Sequence, residues 1–329
     1  MAEQTEGAPS PAAGVARVVG VVVAYNRQDL LVACLDALAA QVRPCAAVVV
    51  VDNASTDDSA AVARGHPLGA DVLSLNRNTG GAGGFAAGIA HAVVAHDAEL
   101  VWLMDDDTIP TPTALDVLVA ARTRFDGPVA LAGSRVVWGD GRDHPMNTPR
   151  RRPGARADDV ARAAEVAAIP VRSSSFVSML VDAGSIRQHG LPLADYFIWN
   201  DDFEYSCRLL RHSVGLAVPG SVVEHRTKVF GTTDADPGER FFFEVRNKVW
   251  LLTRSGALAP HERALYLGAS LRRWTRTVAK SHQRAVLIRA GGRGLREALR
   301  RGPRPTVDVL SGLGAVSDEV AVLEAAARA

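Results

Sequence analysis

The chain has 329 residues, with 37 Lys or Arg and 36 Asp or Glu, so its formal net charge is +1. Hydrophobic residues make up 47% and charged residues 22%, which excludes a disordered chain and indicates a soluble globular protein with a sizeable core. No apolar run reaches the roughly 18 residues that a membrane-spanning helix needs. The three cysteines are scattered without a CxxC pair, which argues against a disulfide framework or structural zinc and is compatible with a reducing cytoplasm.

Predicted strands and helices alternate from residue 18 onward, after a leader of residues 1–16 that has little to bury and is predicted to be disordered. Valine-rich runs predict buried strands, and apolar residues at helical spacing predict the helices between them. The alternation predicts an α/β fold with a mostly parallel sheet. In chain order we expect strand 18–24, helix 29–41, strand 47–51, helix 56–64, strand 71–75, helix 83–95, strand 100–104, helix 111–124 and a strand from 129.

The second half of the chain is less regular, and its end is basic. We expect a loop with some helix over 150–168, a strand over 176–181, a helix over 202–211 and a strand over 214–218. From Leu271 to Arg304, ten arginines and Lys280 face Glu297 alone, which gives a net charge of +10. The rest of the chain therefore sums to −9.

Apolar residues are interleaved with the arginines of this basic segment. The pattern resembles an amphipathic helix that lies on an anionic lipid surface, and the alternative is an arginine-rich face packed on the rest of the protein. Nucleic acid is a weaker partner because no recognition motif accompanies the charge. We therefore divide the chain into a main domain, 17–230, and a helical region, 231–329. The interleaved residues are Leu271, Trp274, Val278, Val286, Leu287, Leu295 and Leu299.

Polar or glycine-rich segments follow each of the first four predicted strands. Because the carboxyl ends of parallel strands lie at one edge of a sheet, these segments predict a single binding crevice there. A dinucleotide-binding fold is excluded, since no G-x-G-x-x-G follows the first strand. The four segments are Tyr25-Asn26-Arg27, Asp52-Asn53-Ala54-Ser55, the run from Asn76 to Gly84, and Asp105-Asp106-Asp107.

The acidic run Asp105-Asp106-Asp107 predicts a metal site. Three adjacent carboxylates repel one another, and such a cluster is unfavourable unless a cation shares it. Oxygen ligands select a hard divalent ion, Mn²⁺ or Mg²⁺. The alternative is a solvated acidic turn. His225 follows another predicted strand; a lone histidine is usually structural, but this one could supply a nitrogen ligand.

The glycine cluster and Asp52 each allow two interpretations. Five glycines between Gly80 and Gly88 let the backbone approach a ligand and place N–H groups at a helix start, or they serve a flexible turn and close helix packing. The carboxylate of Asp52 could accept the imide N–H of a uracil or thymine ring. Its alternative role is an Asx turn with Ser55.

A second acidic cluster, Asp201-Asp202 with Glu204, opens a predicted helix, where carboxylates can also serve as caps. It follows an aromatic stretch that ends at Trp199. A carboxylate near a metal-bound leaving group could act as general base toward an acceptor hydroxyl. The aromatic side chains could stack on a sugar, although core packing is their commoner use.

Five segments, in this order, resemble the family 2 glycosyltransferases, which are inverting enzymes with the GT-A fold. Each segment is weakly specific alone, but the ordered set spans about residues 18 to 230. The segments are Val21 to Arg27, Val51 to Asp57, Asn76 to Gly84, Leu103 to Asp107, and Trp199 to Glu204.

The resemblance implies roles for individual residues. It implies that Asp202 is the catalytic base, with Asp201 as runner-up because Trp199-Asn200 precedes the two aspartates where other members have a different pattern. It implies a metal bound by Asp105, Asp107 and His225, and it implies that Asp105 also contacts the nucleotide-sugar donor. The donor residues implied are Tyr25, Asn26, Asp52, Arg77, Asn78, Gly80, Gly81, Gly83 and Gly84, and the acceptor residues are Trp199, Glu204, Arg246 and Asn247.

Two segments resemble one branch of the family. Asn78 to Gly84 is similar to the rhamnosyl- and galactofuranosyltransferases, and Asp236 to Phe242 followed by Val245-Arg246-Asn247 is similar to actinobacterial galactofuranosyltransferases. The branch implies transfer from a nucleotide diphosphate sugar to a lipid-linked or glycan acceptor in cell-wall synthesis, at the inner face of the membrane. A nucleotidyltransferase is less favoured because no glycine-rich loop follows the first strand. A non-catalytic nucleotide-sugar-binding subunit is the third hypothesis.

Overall fold

A mixed sheet with helices on both faces forms the centre of the structure, a computed structural model that describes residues 16–227, 230 and 236–328. The predicted leader lies outside these residues except for Ala16. The strands are β1 (Val18–Ala24), β2 (Ala47–Asp52), β3 (Asp71–Ser74), β4 (Leu100–Asp105), β5 (Thr108–Pro110), β6 (Val129–Val137), β7 (Arg150–Arg151), β8 (Ile169–Ser173), β9 (Met179–Asp182) and β10 (Val214–His225).

The sheet is parallel in its first half and mixed in its second. Strands β3, β2, β1 and β4 lie side by side and run parallel, as predicted. Strand β9 then runs antiparallel between β4 and β6. Strand β10 runs parallel to β6 and pairs antiparallel with β5 and β8. The predicted parallel order therefore ends at β4, because β9 reverses the direction.

Twelve α-helices surround the sheet in the described residues. They are α1 (Gln28–Ala39), α2 (Ser59–Gly65), α3 (Gly80–Val94), α4 (Ala114–Arg124), α5 (Ala157–Glu165), α6 (Ala183–His189), α7 (Asp201–Leu209), α8 (Phe241–Thr253), α9 (Pro260–Lys280), α10 (Arg284–Arg300), α11 (Thr306–Val309) and α12 (Ala315–Ala326). Two short 3-10 helices cover Ala194–Tyr196 and Gly238–Arg240.

Two helix starts were predicted too early in the chain. Helix α2 begins at Ser59 rather than near Thr56, whose backbone N–H instead donates to Asn26 Oδ1 at 2.7 Å. Helix α4 begins at Ala114 rather than at Thr111, whose hydroxyl donates to the Val222 carbonyl at 3.0 Å. In both places the threonine hydroxyl that could cap a helix donates to a neighbouring segment instead.

The C-terminal helices pack in two separate places. Helices α8 and α10 meet through Phe241, Val245 and Leu287. Helices α11 and α12 instead lie against α3, and Val320 belongs to the same buried cluster as Ile89 and the sheet residues beneath it. The described residues from 236 to 328 thus contribute to the main core, and the boundary near residue 230 stays a prediction. No helix within the described residues is both long and apolar enough to span a bilayer.

Candidate active site

The strand ends meet at one edge of the sheet, as the sequence predicts. The register places Ala24 opposite Asp52 and Val23 opposite Asp105. His225, the last residue of β10, pairs with Thr108 and so reaches the same edge. A cleft of about 1030 Å³ opens there. Its lining includes Asp105, Asp106, Asp107, Asp201, Asp202 and His225.

Asp105, Asp107 and His225 form a compact group of possible metal ligands. One ligand atom from each lies within 4.8 Å of the others. His225 Nε2 is 3.0 Å from Asp107 Oδ1, yet this buried oxygen accepts no well-aligned hydrogen bond from the described residues. A buried carboxylate oxygen in this situation is suited to a cation. The carboxylate and imidazole donors also match the ligands of Mn²⁺ or Mg²⁺.

Arg27 balances part of the negative charge at this group. Its guanidinium contacts Asp107 and lies 3.3 Å from Asp106. Burial, with the nearby charge of Asp107, raises the pKa of Asp105 to about 6, and burial raises the pKa of Asp106 to about 7. Burial acts the same way on Asp107, but the close approach and charge of His225, together with the charge of Arg27, outweigh it and lower the pKa of Asp107. The single positive charge of Arg27 therefore cannot neutralise all the negative charge of the three carboxylates.

Asn147 and Ser175 lie between the metal-ligand group and the second acidic cluster. Asn147 Oδ1 lies 3.0 Å from Nδ1 of His225, and Asn147 Nδ2 donates to Ser175 Oγ at 2.9 Å. The side chain of Ser175 in turn opposes the rise that burial causes in the pKa of Asp202. If Nδ1 of His225 donates to Asn147, its Nε2 lone pair faces the acidic group, which is the orientation that a metal ligand needs. The sequence pattern pointed to neither Asn147 nor Ser175.

The two aspartates at the start of α7 differ in their surroundings. Asp201 is buried, and burial together with the charge of Asp202 raises its pKa well above the usual value. Burial also raises the pKa of Asp202, but a hydrogen bond from the Phe203 N–H and the charges of Arg150 and Lys248 oppose the rise. Asp202 is the more exposed of the pair, so it is the carboxylate that is easier to ionise and to reach.

Strained backbone precedes these aspartates. Phe197, Trp199 and Asn200 have φ angles of 64°, 64° and 65°, in the left-handed region that non-glycine residues rarely adopt. Asn247 Nδ2 lies 2.8–2.9 Å from the carbonyls of residues 196, 198 and 199. Strain of this kind persists only where neighbouring groups hold it, and α8 supplies them here.

Arg246 and Glu244 complete the support of this loop. Arg246 Nη2 donates to the carbonyl of Asp195 at 2.6 Å. Glu244 accepts from Asn200 Nδ2 at 3.1 Å and from Trp274 Nε1 at 3.0 Å, and it contacts Arg273. Glu244 thus links α9 of the basic segment to the residue directly before Asp201.

Three residues expected to contact the acceptor lie elsewhere. Arg246 and Asn247 are 5% and 0% exposed, and the carbonyls of the loop occupy their donors. Glu204 is 1% exposed, pairs with Arg208 and accepts from Ser255 Oγ at 2.8 Å. The three side chains do not face the cleft as expected, because each one is occupied by hydrogen bonds or an ion pair inside the fold. Trp199 does line the cleft.

The expected donor residues divide into two groups. Tyr25, Asn78, Gly80 and Gly81 line the cleft, with Asn53 beside them. Among the described residues, the cleft lining does not include Asn26, Asp52, Arg77, Gly83 or Gly84.

The second group is engaged in local structure. Asp52 Oδ1 accepts from the Ser55 N–H at 3.0 Å, which is the Asx turn considered as its alternative role. The guanidinium of Arg77 donates to the carbonyls of Val309 and Ser311, next to α11. Both contacts hold the chain in place around the cleft.

The glycine cluster mostly serves close packing. A Cβ on Gly84 would lie 2.6 Å from Val23 Cγ1, so its absence lets α3 approach the sheet. Gly80 has a φ of 71°, and a Cβ there would lie 2.1 Å from the carbonyl oxygen of Phe197. Helix α3 begins at Gly80, three residues earlier than predicted, and its first turn contacts the strained loop.

Several cleft residues stand alone in the sequence and were not predicted. Lys248 is 7% exposed and lines the cleft, and burial lowers its pKa to about 8. Arg27, although noted within a polar segment, was not assigned to the site. The sequence pattern gave no signal for Lys248, Asn147 or Ser175.

Comparisons with known proteins agree with this geometry. A family model for glycosyl transferase family 2 matches residues 21–179. A galactofuranosyltransferase GlfT1 from Mycobacterium tuberculosis (strain H37Rv) is 32% identical, with 73% of this chain and 83% of the relative covered. A GlfT1 from Mycolicibacterium smegmatis is 30% identical, with 74% and 86% covered.

Solved structures of glycosyltransferases share the fold. TarS 1–349 of S. aureus, in complex with UDP, superposes with a TM-score of 0.58 at 16% identity and covers 95% of this chain and 91% of its own. The mannosyltransferase PcManGT from Pyrobaculum calidifontis, in complex with GDP-Man and Mn²⁺, has a TM-score of 0.53 at 19% identity, with 99% and 90% covered. The fold is thus GT-A, and the chain belongs to the family 2 glycosyltransferases.

Proposed function

We propose that the chain is an inverting, metal-dependent transferase that moves galactofuranose from a nucleotide diphosphate donor to a lipid-linked or glycan acceptor in cell-wall polysaccharide synthesis. The observation that carries the proposal is the meeting of Asp202 with Asp105, Asp107 and His225 in one cleft. Galactofuranose is favoured over rhamnose because the GlfT1 relatives are named as galactofuranosyltransferases.

Asp202 is the proposed base. It takes the proton of the acceptor hydroxyl as the oxygen attacks the anomeric carbon from the face opposite the diphosphate. One displacement inverts that carbon, so no covalent intermediate forms. Its greater exposure and the opposing charges of Arg150 and Lys248 support Asp202 over its neighbour, because a base must be ionised and within reach of the hydroxyl.

Asp105, Asp107 and His225 are the proposed ligands of Mn²⁺ or Mg²⁺. When bound, such an ion offsets the charge that develops on the diphosphate leaving group. The Asp107 oxygen without an aligned hydrogen bond in the described chain supports this assignment, as does the complex of PcManGT with GDP-Man and Mn²⁺. Asn147 orients His225 toward the group.

The donor nucleotide is proposed to lie along the edge formed by Tyr25, Asn53, Asn78 and Gly81, which line the cleft next to the metal-ligand group. The complex of TarS with UDP supports a uridine donor. Trp199 lines the same cleft three residues before Asp202 and is the proposed contact for the acceptor sugar.

The test is a donor panel of UDP-galactofuranose, dTDP-rhamnose, UDP-galactose and UDP-glucose with Mn²⁺ or Mg²⁺, in which transfer and hydrolysis are measured. We expect transfer from UDP-galactofuranose. Asp202→Asn should retain donor binding and lose about 10²–10⁴-fold in turnover, because it removes the base. Full turnover in both Asp202→Asn and Asp201→Asn would refute the assignment.

The same panel separates the other functions. Release of pyrophosphate from a nucleoside triphosphate would indicate a nucleotidyltransferase. Donor binding with neither hydrolysis nor transfer, under any metal, would indicate a binding subunit.

The proposal includes peripheral binding to the anionic inner face of the cell membrane. Ile288, Leu295 and Leu299 are 63%, 44% and 65% exposed and lie along one face of α10, flanked by arginines. Leu287, in contrast, is buried, and Trp274 packs toward α8, so the predicted amphipathic set is divided between membrane face and core. Exposed apolar residues with flanking arginines favour an anionic lipid surface.

Vesicles of anionic lipid test this part. The triple variant Ile288→Ser, Leu295→Ser, Leu299→Ser should bind such vesicles at least about tenfold more weakly than the wild type. The matched control replaces three exposed valines elsewhere, Val42, Val160 and Val322, with serine. Equal binding by the two triple variants would contradict membrane contact through α10.

A further inference from the structure

A second group of histidine and carboxylate side chains lies at the edge of the sheet opposite the cleft. Asp71 is the first residue of β3, His91 lies in the last turn of α3, and His96 follows that helix. Asp71 Oδ2 is 2.9 Å from Nε2 of His91 and 2.9 Å from Nε2 of His96. One ligand atom from each residue lies within 4.8 Å of the others.

Glu319 of α12 orients His91 within this group. Both carboxylate oxygens of Glu319 lie 3.0 Å from Nδ1 of His91, and the side chain of Glu319 is only 12% exposed. When a cation displaces the proton from Nε2 of His91, Nδ1 keeps its own proton toward Glu319, and the Nε2 lone pair faces Asp71 and His96. Metal-binding histidines have this arrangement, in which a carboxylate fixes the tautomer from the far side of the ring.

We propose that Asp71, His91 and His96 bind a divalent transition-metal ion of the Zn²⁺ class, with Glu319 as a positioning residue. Two imidazoles and one carboxylate form a ligand set that suits Zn²⁺. The side chain of Asp71 is 47% exposed, so water can complete the coordination. The ion joins β3 to the C-terminal end of α3 and, through Glu319, fixes α12 against them.

The cluster is distinguishable from an ordinary surface ion pair. His66 Nε2 lies 3.1 Å from Asp36 Oδ1, but Nδ1 of His66 accepts the backbone N–H of Leu68 at 3.2 Å. Nε2 of His66 therefore carries the proton and faces one carboxylate, which leaves no nitrogen lone pair for a metal. His66 is for this reason the matched control for His96: both rings are within hydrogen-bond distance of an aspartate, and only one belongs to a group of ligands.

The experiment measures Zn²⁺ binding to the full chain by equilibrium dialysis at neutral pH, together with the unfolding temperature. The wild type and His66→Ala should bind one more equivalent of Zn²⁺ than His96→Ala. A Zn²⁺ concentration about 100-fold above Kd should raise the Tm of the first two proteins by about 4 °C more than that of His96→Ala. Neither measurement depends on transferase activity, so a negative result would leave the proposed function unaffected.

Glu319→Gln provides the second measurement, because it keeps all three ligands. It should retain the stoichiometry and weaken Zn²⁺ binding about 10–100-fold. The absorption spectrum of the Co²⁺-substituted chain should lose one component in His96→Ala and retain it in His66→Ala. Equal Zn²⁺ stoichiometry in the wild type and His96→Ala, or an unchanged affinity in Glu319→Gln, would overturn the proposal. The cluster would then be a set of hydrogen-bonded histidine–carboxylate pairs without a metal.

Discussion

The two edges of the sheet carry similar side chains in different surroundings. At the carboxyl edge, Asp107 and His225 are buried in a cleft beside a strained loop. At the amino edge, Asp71 and His96 lie near the surface, and α12 covers one side. The first arrangement can enclose a substrate, whereas the second can only join elements together. In our two proposals, the same ligand types serve chemistry at one edge and stability at the other, according to what encloses them.

The largest expected effect tests the strain at the carboxyl edge. Gly80 and Gly69 have nearly equal φ angles of 71° and 69°, but a Cβ on Gly80 would meet the Phe197 carbonyl at 2.1 Å, whereas a Cβ on Gly69 would meet nothing within 4 Å. Gly80→Ala should therefore lower the free energy of unfolding by about 3 kcal/mol more than Gly69→Ala. Urea denaturation measures both values. Equal losses would show that the loop yields freely to the added methyl group.

The second prediction compares Asn147, which orients His225, with Glu319, which orients His91. Asn147→Ala should weaken Mn²⁺ activation about 10–100-fold, because His225 loses the partner of its Nδ1. Its counterpart at the other edge, Glu319→Gln, should leave Mn²⁺ activation within about twofold of the wild type, since its hydrogen bonds serve the other metal-ligand group. Activity titrated against Mn²⁺ measures both variants. A matching loss in the two would mean that the edges are coupled rather than independent.

The smallest effect concerns the charge next to the proposed base. Lys248 opposes the raised pKa of Asp202, so Lys248→Met should raise that pKa further. Since the base must be ionised, activity is lost as the pH falls through this pKa, and the acid limb of the kcat/KM profile should move to higher pH in the variant. The profiles should converge above about pH 8, where Lys248 itself loses its charge. An acid limb that does not move would show that the charge of Lys248 does not influence the pKa of the base.

The fold was predictable wherever the pattern is local. Continuous apolar runs predicted β1, β2 and β4 within one residue, and the polar segments after them located the cleft. The reversal at β9 was not predictable, because an apolar strand has the same sequence pattern in either direction. Strand β10 runs seven residues beyond the predicted end, to His225, since the register shift between Val218 and Val222 accommodates Pro219 within the strand.

The candidate site was predictable where carboxylates are adjacent in sequence. Asp105 to Asp107 and Asp201-Asp202 stand out for that reason. Asn147, Ser175 and Lys248 reach the cleft from separate segments, so only the tertiary structure assembles them. The acceptor role of Asn247 was implied by the resemblance of its segment to galactofuranosyltransferases, and the sequence does not show that its amide faces the carbonyls of a strained loop.

The packing of α12 on α3 has a consequence for folding during synthesis. Val316, Val320 and Leu323 belong to the same buried cluster as Phe85 and Ile89, more than two hundred residues earlier in the chain. That surface of α3 stays uncovered until α12 has left the ribosome, and contacts so distant in sequence slow folding. A nascent chain that stops short of α12 therefore exposes an apolar surface that chaperones bind, and translation that terminates there yields an aggregation-prone protein rather than a shortened enzyme.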